Sequence, residues 1–347
     1  MSSKLLQKPH LNPSSTLILV TGASGYIASN IVKEALELGY HVRGTARTQE
    51  KCDNTIKEQG NHPNYSTAIV SDFSHPSAEI DNAVKGVDSV IHVASDTSFS
   101  EDADKVISSV VQGTENFLRA AAKEPKVKRF TLTSSSTAAL LAKPGVDGIV
   151  ATTDTWDDEA VDHARNKKGQ TFGPNGYNVY AFAVYAASKT EGERALWNFV
   201  KKEQPSFVTN AVLPNFNVGR VLGSTGGTGG FAIGLLKEGN RQMTPQYFID
   251  VIDDSRLHLC AAVLDESLKN ERIFAFATPF NANDTVDAIK RVLPTTTDTS
   301  KLSKDPNEPS DLSKVPNELG AKLLKKWFGQ DGYKSLDQSV KENLQGI

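Results

Sequence analysis

The chain has 347 residues, a net charge of -3, 38% hydrophobic residues and 23% charged residues. That length buries a full core in one large domain or two closely packed ones, and the near-neutral charge leaves no electrostatic footprint for nucleic acid. The two cysteines, Cys52 and Cys260, are too few for a disulfide framework and fit no metal-ligand spacing, which points to a reducing compartment.

Residues 1–15 read as a polar N-terminal arm. The apolar run that follows, Leu17–Val20, is far too short for a signal h-region or a membrane span, so a cytoplasmic protein without a membrane partner is expected. That run is the first strand. It leads into Thr21-Gly-Ala-Ser-Gly-Tyr-Ile-Ala28 and then a helix with Ile27, Ile31, Ala35 and Leu38 on one face, closed by Gly39. Further strands are expected at 41–46, 65–70, 89–94, 128–134 and 207–213, with long helices over 102–123 and 179–202. Buried apolar strands alternating with helices predict a Rossmann-type α/β fold: a doubly wound parallel sheet with helices on both faces and right-handed crossovers.

After Pro214 the pattern loosens. The glycine-rich run 223–230 lacks Gly-Lys-Ser/Thr and reads as a mobile loop on the substrate side. Residues 294–316 are rich in Thr, Ser, Asp and Pro and read as a surface excursion, and 319–328 and 336–344 as closing helices. The expected organisation is a nucleotide-binding unit over 16–213, with contributions from later segments. Residues 214–347 then form a smaller, interleaved and mainly substrate-binding region.

Gly22, Gly25 and Ala28 space a strand-to-helix turn of the kind that binds a dinucleotide. The first glycine permits the turn, the second admits the pyrophosphate, and the small third residue lets helix and strand pack. The free N–H groups and dipole of the helix start then face phosphate. At the tip of the second strand, Gly44-Thr-Ala-Arg47 has no carboxylate for a ribose 2′-OH. Arg47 stands where a 2′-phosphate would sit, with Arg43 and Lys51 near enough in sequence to help, which predicts NADPH over NADH. Asp72, after the third strand, is read either as an acceptor for the adenine amino group or as a plain turn residue.

Tyr185 and Lys189 lie four residues apart, on one face of the predicted helix. A cation beside a phenol lowers its pKa, and a Tyr tuned this way can pass a proton to a carbonyl oxygen. Tyr177 and Tyr180 have Ala181 and Val184 at that spacing and lack such a partner. The fifth strand ends in Thr133-Ser-Ser-Ser-Thr137, where a hydroxyl could hold the same oxygen, but spacing alone does not choose among three serines. His92 lies inside a strand and reads as a satisfied core residue, and the seven histidines include no His-x3-His pair.

These segments resemble the short-chain dehydrogenase/reductases, most closely the extended branch that includes dihydroflavonol reductases and yeast and fungal aldehyde or carbonyl reductases. The matching stretches are Val20-Thr-Gly-Ala-Ser-Gly-Tyr-Ile-Ala28, Gly44-Thr-Ala-Arg47, Arg129-Phe-Thr-Leu-Thr-Ser-Ser-Ser136, Tyr185-Ala-Ala-Ser-Lys189 and Ala211-Val-Leu-Pro-Asn215. The resemblance implies that Ser135 is the catalytic serine, with Ser136 in its place if the strand end shifts by one. It implies that Tyr185 is the general acid and that Lys189 binds the nicotinamide ribose and lowers the Tyr pKa. Pro214 and its successors would contact the carboxamide through backbone. The family often carries a proton-relay Asn where this chain has Val110.

The cofactor set expected on this basis is Gly22, Ser24, Gly25, Tyr26, Ile27, Arg47, Lys51, Asp72, Phe73, Ala94, Ser95, Thr133, Lys189, Pro214 and Asn215. The expected substrate pocket is Thr97, Phe99, Ser136, Phe216, Val218, Met243, Gln246 and Tyr247. The implied activity is NADPH-dependent reduction of a small-molecule ketone or aldehyde, by a monomer or homodimer. A nucleotide-sugar epimerase or dehydratase is the catalytic rival, and an NADP-sensing regulator the non-catalytic one.

Overall fold

The strands of the main sheet are apolar runs flanked by helices, and their pairing follows from that. In the computed structural model, which describes residues 5–171, 179–223 and 225–345, the chain runs Leu17–Val20 (β1), Tyr26–Glu37 (α1), His41–Ala46 (β2), Gln49–Glu58 (α2), Tyr65–Ile69 (β3), Ala78–Val84 (α3), Ser89–His92 (β4), Ala103–Lys123 (α4), Arg129–Thr133 (β5), Asp158–Asn166 (α5), Tyr180–Glu203 (α6) and Val208–Pro214 (β6). It continues through Phe216–Val218 (β7), Phe231–Glu238 (α7), Gln246–Asp250 (β8), Val251–Leu259 (α8), Arg272–Ala275 (β9), Pro279–Phe280 (β10), Ala282–Val292 (α9), Glu318–Phe328 (α10) and Leu336–Asn343 (α11).

The seven-stranded sheet has the order β3-β2-β1-β4-β5-β6-β9, with every neighbouring pair parallel. The chain winds outward from β1 to β3, then returns to start again at β4. The crevice at the carboxyl ends of β1 and β4 is therefore the switch point where this architecture binds ligands. Cores form on both faces. Ile31, Leu36, Leu257 and Trp327 lie in one, and Phe117, Phe130, Leu196 and Phe199 in the other. No helix among the described residues is long and apolar enough to cross a membrane.

Several features depart from the sequence expectations. A seventh strand, β9, comes from the C-terminal region and pairs with β6, while β7, β8 and β10 form a separate small sheet. The arm is docked from Leu5 onward. Leu6 N–H bonds Trp327 O at 3.1 Å, His10 N–H bonds Leu264 O at 2.9 Å, and Leu5 and Leu11 pack on the core. The 294–316 segment is anchored by buried Leu302, Asp311 and Ser313, and its Lys314 pairs with Val150. In the glycine-rich run, Gly227–Gly230 forms a 3₁₀ turn leading into α7. Gly229 presses on Tyr26, where an added Cβ would lie 3.1 Å from ring atoms. Ser224 of that run and Tyr177 lie outside the described residues.

Gly44 in β2 is fixed by close approach. A Cβ there would lie 2.7 Å from the Ala23 Cβ and overlap the Tyr65 hydroxyl, which itself bonds Thr55 Oγ1 at 3.1 Å. Gly44→Ala is expected to destabilise the fold by about 1–3 kcal/mol through overpacking. A Tyr65→Phe background, which removes the obstructing oxygen, should return part of that loss in urea denaturation.

Candidate active site

The phosphate end is built where β1 stops. Gly22 takes φ +67°, and a Cβ on it would press to 3.1 Å on the Ala94 backbone. Gly25 caps α1 without a side-chain hydrogen bond, so N–H groups of the first turn remain available to an anion. The Thr21 hydroxyl closes the crevice floor. It accepts from the N–H groups of Val93 and Ala94, each at 2.9 Å, and bonds His92 Nδ1 at 2.9 Å. His92 is thus a satisfied core residue. Burial first, then the charge of Lys189, pushes its pKa down to about 3.

One cavity of about 1830 Å³ runs along the strand ends, larger than a small-molecule pocket and roomy enough for a dinucleotide with a substrate. Every residue of the expected cofactor set lines it. Arg47 and Lys51 are exposed at its mouth, and their side chains form no ion pair or hydrogen bond among the described residues. Arg43 does not join them. Its guanidinium donates to the carbonyls of Ala83 at 2.8 Å and Lys85 at 2.9 Å, closing the end of α3. Asp72 reaches the cavity, but one oxygen accepts from Ser74 N and Oγ at 2.8 and 2.6 Å and the other bonds His75 at 2.9 Å. Those Ser74 hydrogen bonds, with that from His75, lower its pKa. Its carboxylate therefore serves the turn first. Ser95 Oγ is buried and has no hydrogen-bond partner among the described residues, an orphan that a polar ligand group would satisfy.

At the other end α6 brings Tyr185 and Lys189 to β5. The three serines separate cleanly. Ser134 also lines the cavity, but its Oγ proton is committed to Glu193 at 2.6 Å. Ser135 Oγ accepts from Thr137 N and Oγ1 at 3.3 and 3.0 Å, which leaves its own proton free to face Tyr185, where it favours the phenolate. Ser136 lines the cavity beside them.

The electrostatics differ in sign from the sequence expectation. Burial raises the Tyr185 pKa, and the Ser135 hydrogen bond is what opposes the rise. Lys189, only 7% exposed, donates to Thr133 O at 3.4 Å, and burial pushes its own pKa down to about 8. Thr133 is held in turn, its hydroxyl 2.8 Å from His258 Nε2. Val110 does not reach the cavity. It packs between α4 and α6, where a Cβ on Gly192 would lie 2.8 Å from its Cγ1.

Of the expected substrate residues, Thr97, Phe99, Ser136, Phe216, Met243 and Gln246 line the cavity. Val218 and Tyr247 do not. Val218 is buried in the core, and Tyr247 sits on the opposite face of β8 from Gln246, donating to Ser313 O at 2.8 Å. Phe182 was not anticipated. Its ring centroid lies 6.0 Å from Tyr185, and that of Phe99, at φ +51°, lies 5.1 Å from it. The signal for Phe182 was its place three residues before Tyr185 on one helix face. Phe231 and Lys105 also line the cavity, and nothing in their sequence surroundings marks them. Among the described residues no group of three His, Cys, Asp or Glu could hold a metal ion.

The model of the NAD dependent epimerase/dehydratase family matches residues 18–219. Over 339 residues the chain is 37% identical to aldehyde reductase 2 of Sporidiobolus salmonicolor, covering 95% of each chain. It is 38% identical over 346 residues to ketoreductase adrE of Penicillium rubens, covering 96% of this chain and 97% of the relative. Among solved structures, Gre2 of Candida albicans in complex with NADPH is similar with a TM-score of 0.79 at 24% identity, over 94% of this chain and 97% of that one, a likeness of fold. The chain therefore belongs to the NAD-dependent epimerase/dehydratase family, within the extended short-chain dehydrogenase/reductases.

Proposed function

We propose that the chain reduces aldehydes or ketones to alcohols with NADPH. One observation carries this reading: Ser135, Tyr185 and Lys189 share a cavity with a helix start that has no side-chain cap and with Arg47 and Lys51, two exposed cations unpaired among the described residues. Full-length relatives named aldehyde reductase and ketoreductase support it. When bound, NADPH supplies the hydride. Gly22, Ser24, Gly25, Tyr26 and Ile27 would hold its pyrophosphate, and Arg47 and Lys51 its 2′-phosphate. Asp72, Phe73, Ala94 and Ser95 would frame the adenine half, and Thr133, Lys189, Pro214 and Asn215 the nicotinamide half.

Ser135 and Tyr185 hold the carbonyl oxygen. A raised phenol pKa keeps Tyr185 protonated at neutral pH, so its proton is available to the oxygen as negative charge develops there. The Ser135 hydroxyl has one proton, which would turn from the Tyr185 oxygen to the carbonyl oxygen as that charge develops. Lys189 acts once the proton has left, when it faces a phenolate one helical turn away. Thr97, Phe99, Ser136, Phe216, Met243 and Gln246 would surround a mainly apolar small-molecule carbonyl. The unpaired thiols of Cys52 and Cys260 suit a reducing, cytoplasmic setting.

Purified protein should oxidise NADPH with simple aldehydes or ketones. Turnover of a nucleotide sugar in their place would instead support the epimerase reading. Tyr185→Phe should lower kcat by about 10²–10⁴-fold without weakening NADPH binding, and near-parent turnover would refute the assignment.

Arg47→Ala should raise the KM for NADPH by about 10–100-fold, the value of a charge-assisted hydrogen bond, and leave NADH nearly unaffected. An unchanged NADPH/NADH ratio would sink the cofactor choice.

Lys189→Met should lose turnover yet gain about 1–3 kcal/mol of stability at pH 7, because it removes the cost of a buried charge. With the native Lys189 pKa lowered to about 8 from 10.5, the unfolded chain binds the extra proton between those values. Parent stability therefore rises with pH across that window, and the variant's advantage should shrink there.

A further inference from the structure

We infer that Glu193 is a positioning residue for the reaction: through Ser134 it fixes the end of β5 against α6, so that the Ser135 hydroxyl stays on the Tyr185 phenol. The inference rests on the carbonyl-reductase reading above. Tyr185, Lys189 and Glu193 follow one another at four-residue intervals, so α6 presents them as one row toward the strand ends. Glu193 is 1% exposed, and both its oxygens are engaged. Oε2 accepts from Ser134 Oγ at 2.6 Å and from Arg272 Nη2 at 3.3 Å, and Oε1 accepts from Arg272 Nε at 2.6 Å and from Trp197 Nε1 at 3.0 Å. A carboxylate with four donors has no rotational freedom left.

Arg272 extends the clamp. It belongs to β9, donates to Thr153 O and Thr155 O at 2.7 Å each, and lies 4.1 Å from the Trp156 ring centroid. One carboxylate thus locks α6, β5 and β9 together.

The chain on either side of Ser135 is tied to α6. Lys189 holds Thr133 O at 3.4 Å, Glu193 holds Ser134, and Thr190 Oγ1 donates to Thr137 O at 3.4 Å. Ser135 is left between these ties with its hydroxyl free to meet Tyr185. Catalytic groups tolerate about 0.5 Å of misplacement, and about 1 Å can cost 10²-fold in rate. Ser134 is the thinnest link of the clamp: truncating its side chain leaves the Glu193–Arg272 pair and the Ser134 N–H bond to Val212 O at 2.8 Å intact, and releases only the tie from the strand end to α6.

The test uses the full-length protein with Ser134→Ala and Ser134→Thr. For Ser134→Ala, kcat should fall about tenfold while the carbonyl KM and the NADPH Kd stay within about twofold. Reduction needs a protonated Tyr185, and the Ser135 bond favours the phenolate. Loosening that bond should therefore move the alkaline limb of kcat/KM, which reports the free enzyme, to higher pH. The other charged or titratable groups around the site are Lys189 and Glu193 on α6, Arg272 on β9, His92 on β4, Asp96 after β4 and Lys105 on α4; of these the substitution touches only Glu193, which loses one donor and keeps its pair with Arg272. Ser134→Thr, which keeps the hydroxyl, should restore both rate and limb. A crystal structure of Ser134→Ala should show the Ser135–Tyr185 bond lengthened or lost. A parent-like kcat and pH limb in Ser134→Ala, even with lower stability, would make Glu193 purely structural and overturn the proposal. If the parent reduces no carbonyl, the functional reading fails separately, and the crystal structure still decides whether the clamp sets Ser135.

Discussion

Lys189 carries a charge that the fold has to bury. An ammonium removed from water costs several kcal/mol unless it finds partners, and this one is 7% exposed. The partner supplied is a backbone carbonyl, that of Thr133 at 3.4 Å, at the residue where β5 ends. The compensation is incomplete, as a pKa pushed down to about 8 records. The same charge helps keep His92 neutral, so the imidazole can serve as a quiet partner for Thr21 at the crevice floor. A cost of this kind at the carboxyl edge of a sheet is retained where chemistry needs the charge.

Topology explains why the other parts arrive at the same place. The sheet reverses its winding between β1 and β4, which opens a crevice above two adjacent strand ends. The uncapped start of α1 stands at one side of it. α6, which follows β5 and packs along α4, brings its row of side chains to the other. A dinucleotide spans that distance; a smaller ligand would leave one end unused.

Much of this was legible in the sequence, and the misses have physical reasons. Gly22, Gly25 and Ala28 were readable because a tight turn restricts residue type, and Tyr185 with Lys189 because helical spacing defines a face. Arg43 was misassigned because nearness in sequence is not nearness on a strand. At about 3.3 Å per residue, four residues separate it from Arg47 by about 13 Å, enough to reach the far end of α3. Tyr247 was misplaced because a single short strand does not show which alternate face meets the cavity. The sign of the Tyr185 shift was missed because spacing reports that a cation is near and says nothing of how deeply both groups are buried. Spacing also could not rank three adjacent serines. Glu193, a residue with no motif of its own, engages the Ser134 hydroxyl, while the choice of Ser135 over Ser136 rests on the family resemblance.

The raised Tyr185 pKa bears on the direction of the reaction. Reduction takes a proton from the site, and oxidation of an alcohol needs a base to receive one. A phenol whose charged form is disfavoured by burial begins with its proton in place at neutral pH, the state that reduction uses. The Ser135 hydrogen bond limits this preference, because a phenol held too basic would release its proton too reluctantly. Lys189, one helical turn away, would favour the phenolate that proton transfer leaves. In the proposed reaction burial and hydrogen bonding would divide the work: desolvation would load the acid, while Ser135 and Lys189 would let it discharge. The alignment of Ser135 with Tyr185 then matters to the proton as well as to the developing oxyanion, and the strand end that carries Ser135 cannot be left loose.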